Sequence, residues 1–539
     1  MKSQRWVVAL SAATAIALVG LAGPQQADAA PSDPPGSFSQ QNLGATLAPG
    51  FAAYRIPALA FLGNSTVVAA WDGRPTSAAD APNPNSIVMR RSTDNGSTWS
   101  ALTVPRAGDP DTAHGGASKD GYSDPSLVWD ATAHKLFLFS VYSKDQGFSG
   151  STFGNSDTDR NVLSAQVSES DDLGVTWGAP RLITSVVKPG ASSTVPAPGD
   201  VQGAFASSGE GIQLRYGTHA GRLVQQYAGT VRQADGSNAL QAYSVFSDDH
   251  GITWQRGAFV GTGMDENKVV ELSDGRVLLN SRNHAGGDRK IAISNDGGAT
   301  WGAVSEDTDL PDPGNNASIV RLFPDAAQGS ADAAKLLFTN ADSTTSRQNV
   351  SARVSCDDGT TWSSVRSIAP GFSAYSTATR LDDGMIGVLY ESSYTTGIQF
   401  ASFDDAWLDS TCAASTTATS SIDLVHVTGS RNDSGRDVST SPYTAGETVA
   451  YRFTVTNGSS SPATVAPTAG NVNPLVPPGA GNCRYSNLAA GATYTCTTPR
   501  HTVTAAEATQ GFFVPDTTWT VTRASTSTAR VIGARVDLR

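Results

Sequence analysis

The feature that most constrains this chain is an eight-residue phrase, Ser-x-Asp-x-Gly-x-Thr-Trp, which it repeats five times. The copies read STDNGSTW from Ser92 to Trp99, SDDLGVTW from Ser170 to Trp177, SDDHGITW from Ser247 to Trp254, SNDGGATW from Ser294 to Trp301 and SCDDGTTW from Ser355 to Trp362. A phrase recurring at long intervals signals an architecture assembled from one repeated supersecondary unit, so it is weighed before any single residue. Its aspartates, Asp94, Asp172, Asp249, Asp296 and Asp357, stand 78, 77, 47 and 61 residues apart.

Each copy has the chemistry of a turn between two strands. Aspartate accepts hydrogen bonds from amides a few residues on, glycine supplies a positive φ without steric cost, and serine and threonine bond locally. The flanks are β-favouring: Ile87, Val88 and Met89 precede the first copy, Tyr243, Val245 and Phe246 the third, and Ile291 and Ile293 the fourth. The phrase is therefore expected at the same hairpin of successive sheets. A four-stranded propeller blade takes roughly 40–50 residues. The two shortest intervals then fit one blade each, and the longest leaves room for a further blade whose phrase has decayed.

With 539 residues the chain has room for two or three domains. Its 53 glycines and 16% charged residues suit a turn-rich, all-β protein. The formal net charge of −12 argues against a nucleic-acid partner. At the N-terminus, Lys2 and Arg5 precede an apolar run from Trp6 to Gly23 and then Ala27-Asp28-Ala29. That order is a secretory signal over residues 1–29; a membrane anchor is the alternative, because the run is nearly long enough to span a bilayer. No later stretch could cross. Export permits disulfides among the four cysteines. Cys483 and Cys496 flank a turn at Gly491 and would staple a hairpin, which leaves Cys356 and Cys412 as a second pair or as free thiols.

Residues 30–42 are polar and Pro-rich and read as a flexible leader. Short strands and turns run from Ala52 to Leu408 without a helical period, and Phe400–Leu408 would supply the last strand of a ring. The propeller is assigned to 43–412 and a polar linker, opening AASTTATSS, to 413–422. Residues 423–539 are Thr-, Val- and Ser-rich with alternating runs such as ETVAYRFTVTN, the pattern of a β-sandwich of immunoglobulin-like topology. The expected fold is thus all-β, a six-bladed β-propeller followed by an immunoglobulin-like sandwich.

The repeated phrase resembles the Asp box of sialidases, a box that other propellers also carry. More specific strings accompany it. Tyr54-Arg55-Ile56-Pro57, WDGRPTSAADAPNPNS, GYSDPS, MDENKVVELSDGRVLLNSR, SRQ, FSAYST and LYE occur in the order found in bacterial secreted sialidases, and the resemblance covers residues 45–412. It implies an arginine triad of Arg55, Arg282 and Arg347 for the substrate carboxylate, with Glu391 supporting Arg55. It further implies Tyr375 as nucleophile, Glu266 as its proton acceptor and Asp80 as the acid/base. Arg74 and Asp124 match substrate-contacting positions. Asp94 competes with Asp80, but it belongs to the repeated turn.

The residue types suit the reaction that the resemblance implies. A sialoside carries a carboxylate on its anomeric carbon, and planar, permanently charged guanidinium groups bind carboxylates in bidentate fashion. A carboxylate nucleophile would meet that group at close range, where two like charges about 4 Å apart repel by about 4 kcal/mol at an effective dielectric of 20. A neutral tyrosine avoids the repulsion, and sialidases are the known glycosidases that use one. Because an unassisted phenol has a pKa of about 10, it needs a base beside it. Asp80 must be protonated to release the leaving group and ionised to activate water. The acidic net charge matters little beyond a Debye length of roughly 8 Å, so attraction must be local to the arginines.

The expected function is an exo-α-sialidase acting with retention on sialylated glycans; a trans-sialidase and a catalytically silent sialic-acid lectin are the alternatives. No cofactor, metal, nucleic acid or membrane partner is expected, and the chain is expected to be a secreted monomer. The seven histidines, His219, His250 and His284 among them, lack paired ligand spacing.

Overall fold

The computed structural model describes residues 36–363, 365–408, 420–422, 425–431, 436, 438, 440–457, 461–470, 483–495, 500–513, 516–522, 526–532 and 536–539. The chain divides into Met1–Pro35 and Gly36–Arg539. The first unit, with the expected signal and residues 30–35 of the expected leader, lies outside the described residues, as do residues 413–419 of the expected linker. Among the described residues no helix is long and apolar enough to cross a membrane.

Residues 38–403 form six sheets, the blades of a propeller, antiparallel except where Gly209–Glu210 pairs in parallel with the first strand of blade 2. Blade 1 is built from Ala53–Phe61, Val67–Arg74, Ser86–Ser92 and Thr103–Arg106, and blade 2 from Gly121–Asp130, Lys135–Ser143, Ser164–Ser170 and Arg181–Leu182. Blade 3 comprises Val201–Ala206, Leu223–Arg232, Asn238–Ser247 and Gln255–Arg256; blade 4 comprises Met264–Glu271, Val277–Asn283, Gly287–Ser294 and Ser305–Asp312. Blade 5 is Ser318–Arg321, Leu336–Ala341, Gln348–Ser355 and Arg366–Phe372. Blade 6 has Ser376–Arg380, Ile386–Glu391 and Ile398–Phe403, and its outermost strand is Phe38–Asn42 from the other end of the ring, with Phe38 opposite Phe403.

Two expectations change here. Residues 38–42 are not a flexible leader but the strand that closes the ring, because the outer edge of blade 6 would otherwise be unpaired. The interval from Asp94 to Asp172 holds one blade lengthened by loops, with no decayed blade inside it; the blade without the phrase is blade 6. Phe400–Leu408 is the end of that blade's third strand followed by a helical turn, Asp405–Leu408.

Side-chain alternation explains how a ring of sheets is packed. Successive residues of a strand point to opposite faces. In blade 1, Leu59, Val67, Ala69 and Trp71 pack against Leu389, Ile398 and Phe400 of blade 6. Their neighbours Ala58, Ala60, Val68 and Ala70 pack against Leu127, Leu136 and Leu138 of blade 2. Each of the other four interfaces between blades has its own buried cluster, so every blade is covered on both faces. Runs such as KLFLFSVYS are continuous apolar stretches for this reason.

The phrase lies between the third and fourth strands of blades 1 to 5. In the first copy Ser92 Oγ donates to Asp94 Oδ1 (2.7 Å) and accepts from the Gly96 amide (2.8 Å), while the Thr98 amide and hydroxyl donate to the two carboxylate oxygens at 2.8 and 2.6 Å. The other four copies repeat these bonds. Each tryptophan packs into the interface with the preceding blade: Trp99 meets Phe400 of blade 6 edge-on at 5.1 Å, and Trp254 meets Phe139 of blade 2 at 4.9 Å. At the interface between blades 5 and 6, where no copy is present, Trp407 fills the equivalent role, 4.6 Å from Phe403.

In the C-terminal part, strands Val425–Arg431, Thr448–Asn457 and Thr493–Thr495 form one sheet, and Tyr485–Leu488, Ala463–Gly470, Asp516–Thr522 and Thr526–Ile532 another. Val449, Tyr451, Phe453 and Val455 from the first share one core with Val465, Leu488, Trp519 and Val521 from the second. Cys356 and Cys483 each belong to a disulfide, and Cys412 and Cys496 lie outside the described residues.

Candidate active site

In every blade the first strand starts, and the second strand ends, at one face of the ring; the repeated turns lie at the other. Arg55, Asp124 and Glu266 are near the starts of first strands, Tyr375 immediately precedes one, and Arg74, Arg282 and Glu391 are at or beside the ends of second strands. Arg347 adjoins the start of the third strand of blade 5, and Asp80 lies in the loop after the second strand of blade 1. All nine expected residues thus share one face.

Bulges aim several of them. The register of blade 1 shifts between Arg55 and Ala58, where Ile56 has φ 62°, an unfavourable value for a β-branched residue. A buried carboxylate holds it there, since the Ile56 amide donates to Glu391 Oε1 at 2.8 Å. Blade 2 repeats the device. Its register shifts between Ser123 and Ser126, Asp124 has φ 58°, and the Asp124 amide donates to Asp72 Oδ1 at 3.1 Å.

Two linked clusters result. In the first, Arg55 Nε lies 2.7 Å from Glu391 Oε1, and Arg282 Nη1 lies 2.7 Å from Glu266 Oε2 and 3.2 Å from the Tyr375 hydroxyl. The guanidinium carbons of Arg55 and Arg347 stand 5.8 and 5.0 Å from the Tyr375 ring. Arg347 donates to the Tyr394 hydroxyl (3.2 Å) and the Gly314 carbonyl (3.0 Å), and among the described residues no carboxylate lies within ion-pair distance of it. In the second cluster Arg74 bridges the buried Asp72 (2.9 Å) and the exposed Asp80 (2.7 Å). Arg55 bears electrostatically on Arg74, and Glu266 on Asp124, so the clusters adjoin.

Their electrostatics separate two states of protonation. Burial, and then the charge of Glu266, push the Tyr375 hydroxyl well above its ordinary range, so it is neutral in the resting site. Burial also pushes Glu266 up, but Arg282, the Tyr375 hydroxyl and Arg347 together hold it below the ordinary carboxylate range, hence ionised. Burial beside Asp72, Asp80 and Glu266 raises Asp124 well above that range, and burial brings Asp72 to about 6 despite Arg74. The arrangement can therefore bind an anion, accept a proton from a phenol and keep a carboxylic acid at neutral pH.

Asp94 is placed with the turns on the other face, where hydrogen bonds from Thr98 and Ser92 lower its pKa. The sequence reading missed Asp72, which sits two residues before Arg74 in the string quoted for it. It also missed Tyr394, an aromatic residue in the short Ser/Thr loop after Glu391, and Asp265, which contacts His284 Nδ1 at 2.9 Å. A groove of about 590 Å³ lined by Gly261, Lys290 and Glu306 contains none of the site residues. Among the described residues no group of three or more His, Cys, Asp or Glu side chains is placed to hold a metal ion.

The chain matches the BNR repeat-like domain family over residues 65–388. It is 52% identical over 408 residues to a sialidase of Micromonospora viridifaciens, an alignment covering 75% of this chain and 60% of that protein. The chain therefore spans less than two thirds of that relative's length. The Hadza microbial sialidase Hz136 superposes with a TM-score of 0.56 at 28% identity, covering 66% of each chain. An intramolecular trans-sialidase from Ruminococcus gnavus, at 20% identity, shares the fold with a TM-score of 0.57 over 68% of this chain and 98% of its own.

Proposed function

Because the chain belongs to the BNR-repeat family that includes the bacterial sialidases, we propose that it is an exo-α-sialidase that removes terminal sialic acids from glycans with retention of configuration. The observation that carries this reading is the convergence of Arg55, Arg282 and Arg347 on Tyr375, with Glu266 beside it.

In this mechanism the three arginines hold the sugar carboxylate, and Arg347, free of a carboxylate partner among the described residues, contributes the least neutralised charge. The Tyr375 oxygen attacks the anomeric carbon and passes its proton to Glu266. As the C–O bond to the leaving group breaks, that oxygen takes the proton of Asp80. Water then attacks the same carbon and gives a proton to Asp80. The bond to Tyr375 breaks, and its oxygen recovers the proton from Glu266. Two displacements return the sugar in its original anomeric form. Arg74, held by Asp72, positions Asp80, and Asp124 contacts the substrate as a protonated acid.

The remaining assignments belong to the same proposal. Residues 1–29 direct secretion, the enzyme works as a monomer outside the cell, and residues 423–539 form an immunoglobulin-like accessory domain. The test is release of fluorophore from a 4-methylumbelliferyl α-sialoside by the purified protein; no release above background rejects the reading. Adding lactose and analysing products distinguishes hydrolysis from transfer.

A further inference from the structure

We propose that Tyr394 is a positioning residue of the carboxylate clamp, an inference that rests on the sialidase reading above. It would hold Arg55 by its ring and Arg347 by its hydroxyl.

Local structure fixes where the ring stands. Tyr394 belongs to the loop between the second and third strands of blade 6. The loop is tight: the Ser392 amide donates to the Gly397 carbonyl at 2.7 Å, and Ser393 Oγ accepts from the amides of Thr395 and Thr396 at 3.3 and 3.1 Å. A Cβ at Gly397 would lie 2.3 Å from the Ser393 nitrogen, so the turn has no room for a side chain there. The loop is also tied to blade 1, because the Tyr54 amide, next to Arg55, donates to the Thr395 carbonyl at 2.8 Å. Phe372 braces the Tyr394 ring edge-on at 5.0 Å.

So placed, the ring lies 4.1 Å from the Arg55 guanidinium carbon, within the range of a cation–π contact, and the hydroxyl accepts from Arg347 Nη1 at 3.2 Å. The three arginines are anchored differently. Arg55 has Glu391 and Arg282 has Glu266, but the side-chain hydrogen-bond partner of Arg347 among the described residues is this phenol. A carboxylate there would orient the guanidinium at the cost of neutralising the charge the substrate needs. A neutral hydroxyl orients it and leaves the charge in place. The ring also covers one face of Arg55, whose Nε donates to Glu391.

The test compares wild type, Tyr394→Phe and Tyr394→Ala by turnover of the fluorogenic sialoside and by calorimetric binding of 2-deoxy-2,3-didehydro-sialic acid and of its methyl ester, with thermal unfolding as a control. Tyr394→Phe keeps the ring and loses the bond to Arg347, so KM and the Kd of the acid rise about 5-fold with kcat within about twofold; Tyr394→Ala raises both about 20-fold or more. Binding of the ester, which lacks the charge, changes less than twofold in either variant. Equal weakening of acid and ester, or no weakening of the acid, overturns the inference. If Tyr394→Ala does not fold, the Phe variant decides the matter alone. Wild type that binds the acid but turns over no sialoside rejects the sialidase reading and leaves the clamp measurable by calorimetry.

Discussion

Glu391 accepts a hydrogen bond from Arg55 Nε at 2.7 Å although 336 residues separate the two in sequence. One residue ends a strand of the last blade and the other lies near the start of a strand of the first, so the bond spans the junction of the two blades. The same carboxylate holds the Ile56 amide at the left-handed bulge. Replacing it with Glu391→Gln leaves Arg55 charged and unpaired at a buried position. The expected loss of stability is about 3 kcal/mol, measured by chemical denaturation, with a raised KM.

The division of labour between Tyr375 and Glu266 gives a kinetic expectation. Tyr375→Phe removes the proposed nucleophile and leaves the arginines, so kcat is expected to fall by about 1,000-fold or more with KM changed far less. Glu266→Gln leaves the phenol without its proton acceptor and lowers kcat by about 100-fold or more. Steady-state kinetics on the fluorogenic sialoside reads both. A loss confined to KM contradicts the assigned roles.

The phrase in the turns is assigned to architecture alone, which separates stability from catalysis. Gly96 has φ 81°, and a Cβ there would approach the Phe400 ring to 2.5 Å. Gly96→Ala therefore combines a strained backbone with a clash against blade 6 and destabilises by about 2 kcal/mol or more. Because the turn lies on the face opposite the site, KM and kcat of the folded fraction stay as in wild type.

Glu210, partly buried, provides a pH dependence of stability. Burial pushes its carboxyl up to about 8, against the opposing charge of Lys268 and a hydrogen bond from Ser318. A carboxyl whose folded pKa lies above its unfolded value binds more protons folded than unfolded across the interval. Its contribution to stability is full below about pH 4.5 and is lost as pH rises toward 8, with a slope of at most about 1.4 kcal/mol per pH unit. Denaturation curves at pH 5 and pH 8 are expected to show this loss in wild type and a smaller loss in Glu210→Gln.

Much of the fold was readable because the repeated phrase carries its own turn chemistry: Asp94 and Gly96 announce a turn, and Trp99 the packing that follows it. What composition concealed was the seam. Phe38–Asn42 looked like a leader because it has no partner within its own stretch of chain, and its partner strand lies some 360 residues away. Blade 6 lacks the phrase because its third and fourth strands, Ile398–Phe403 and Phe38–Asn42, come from opposite ends of the ring and no turn joins them; Trp407, on a helical turn, packs into the interface instead. In the site, Arg55, Glu266 and Tyr375 stood in distinctive strings. Asp72 and Tyr394 act through neighbours in space, Asp124 for one and Arg347 for the other, and nothing in local sequence reports such a partner.

The central claim is that Tyr375 attacks the sugar and water then displaces it, two inversions that restore the starting configuration. Time-resolved proton NMR of an α-sialoside digested by the wild-type protein tests it most directly. The account predicts that free sialic acid appears first as the α-anomer and mutarotates to β afterwards. First appearance of the β-anomer would contradict it.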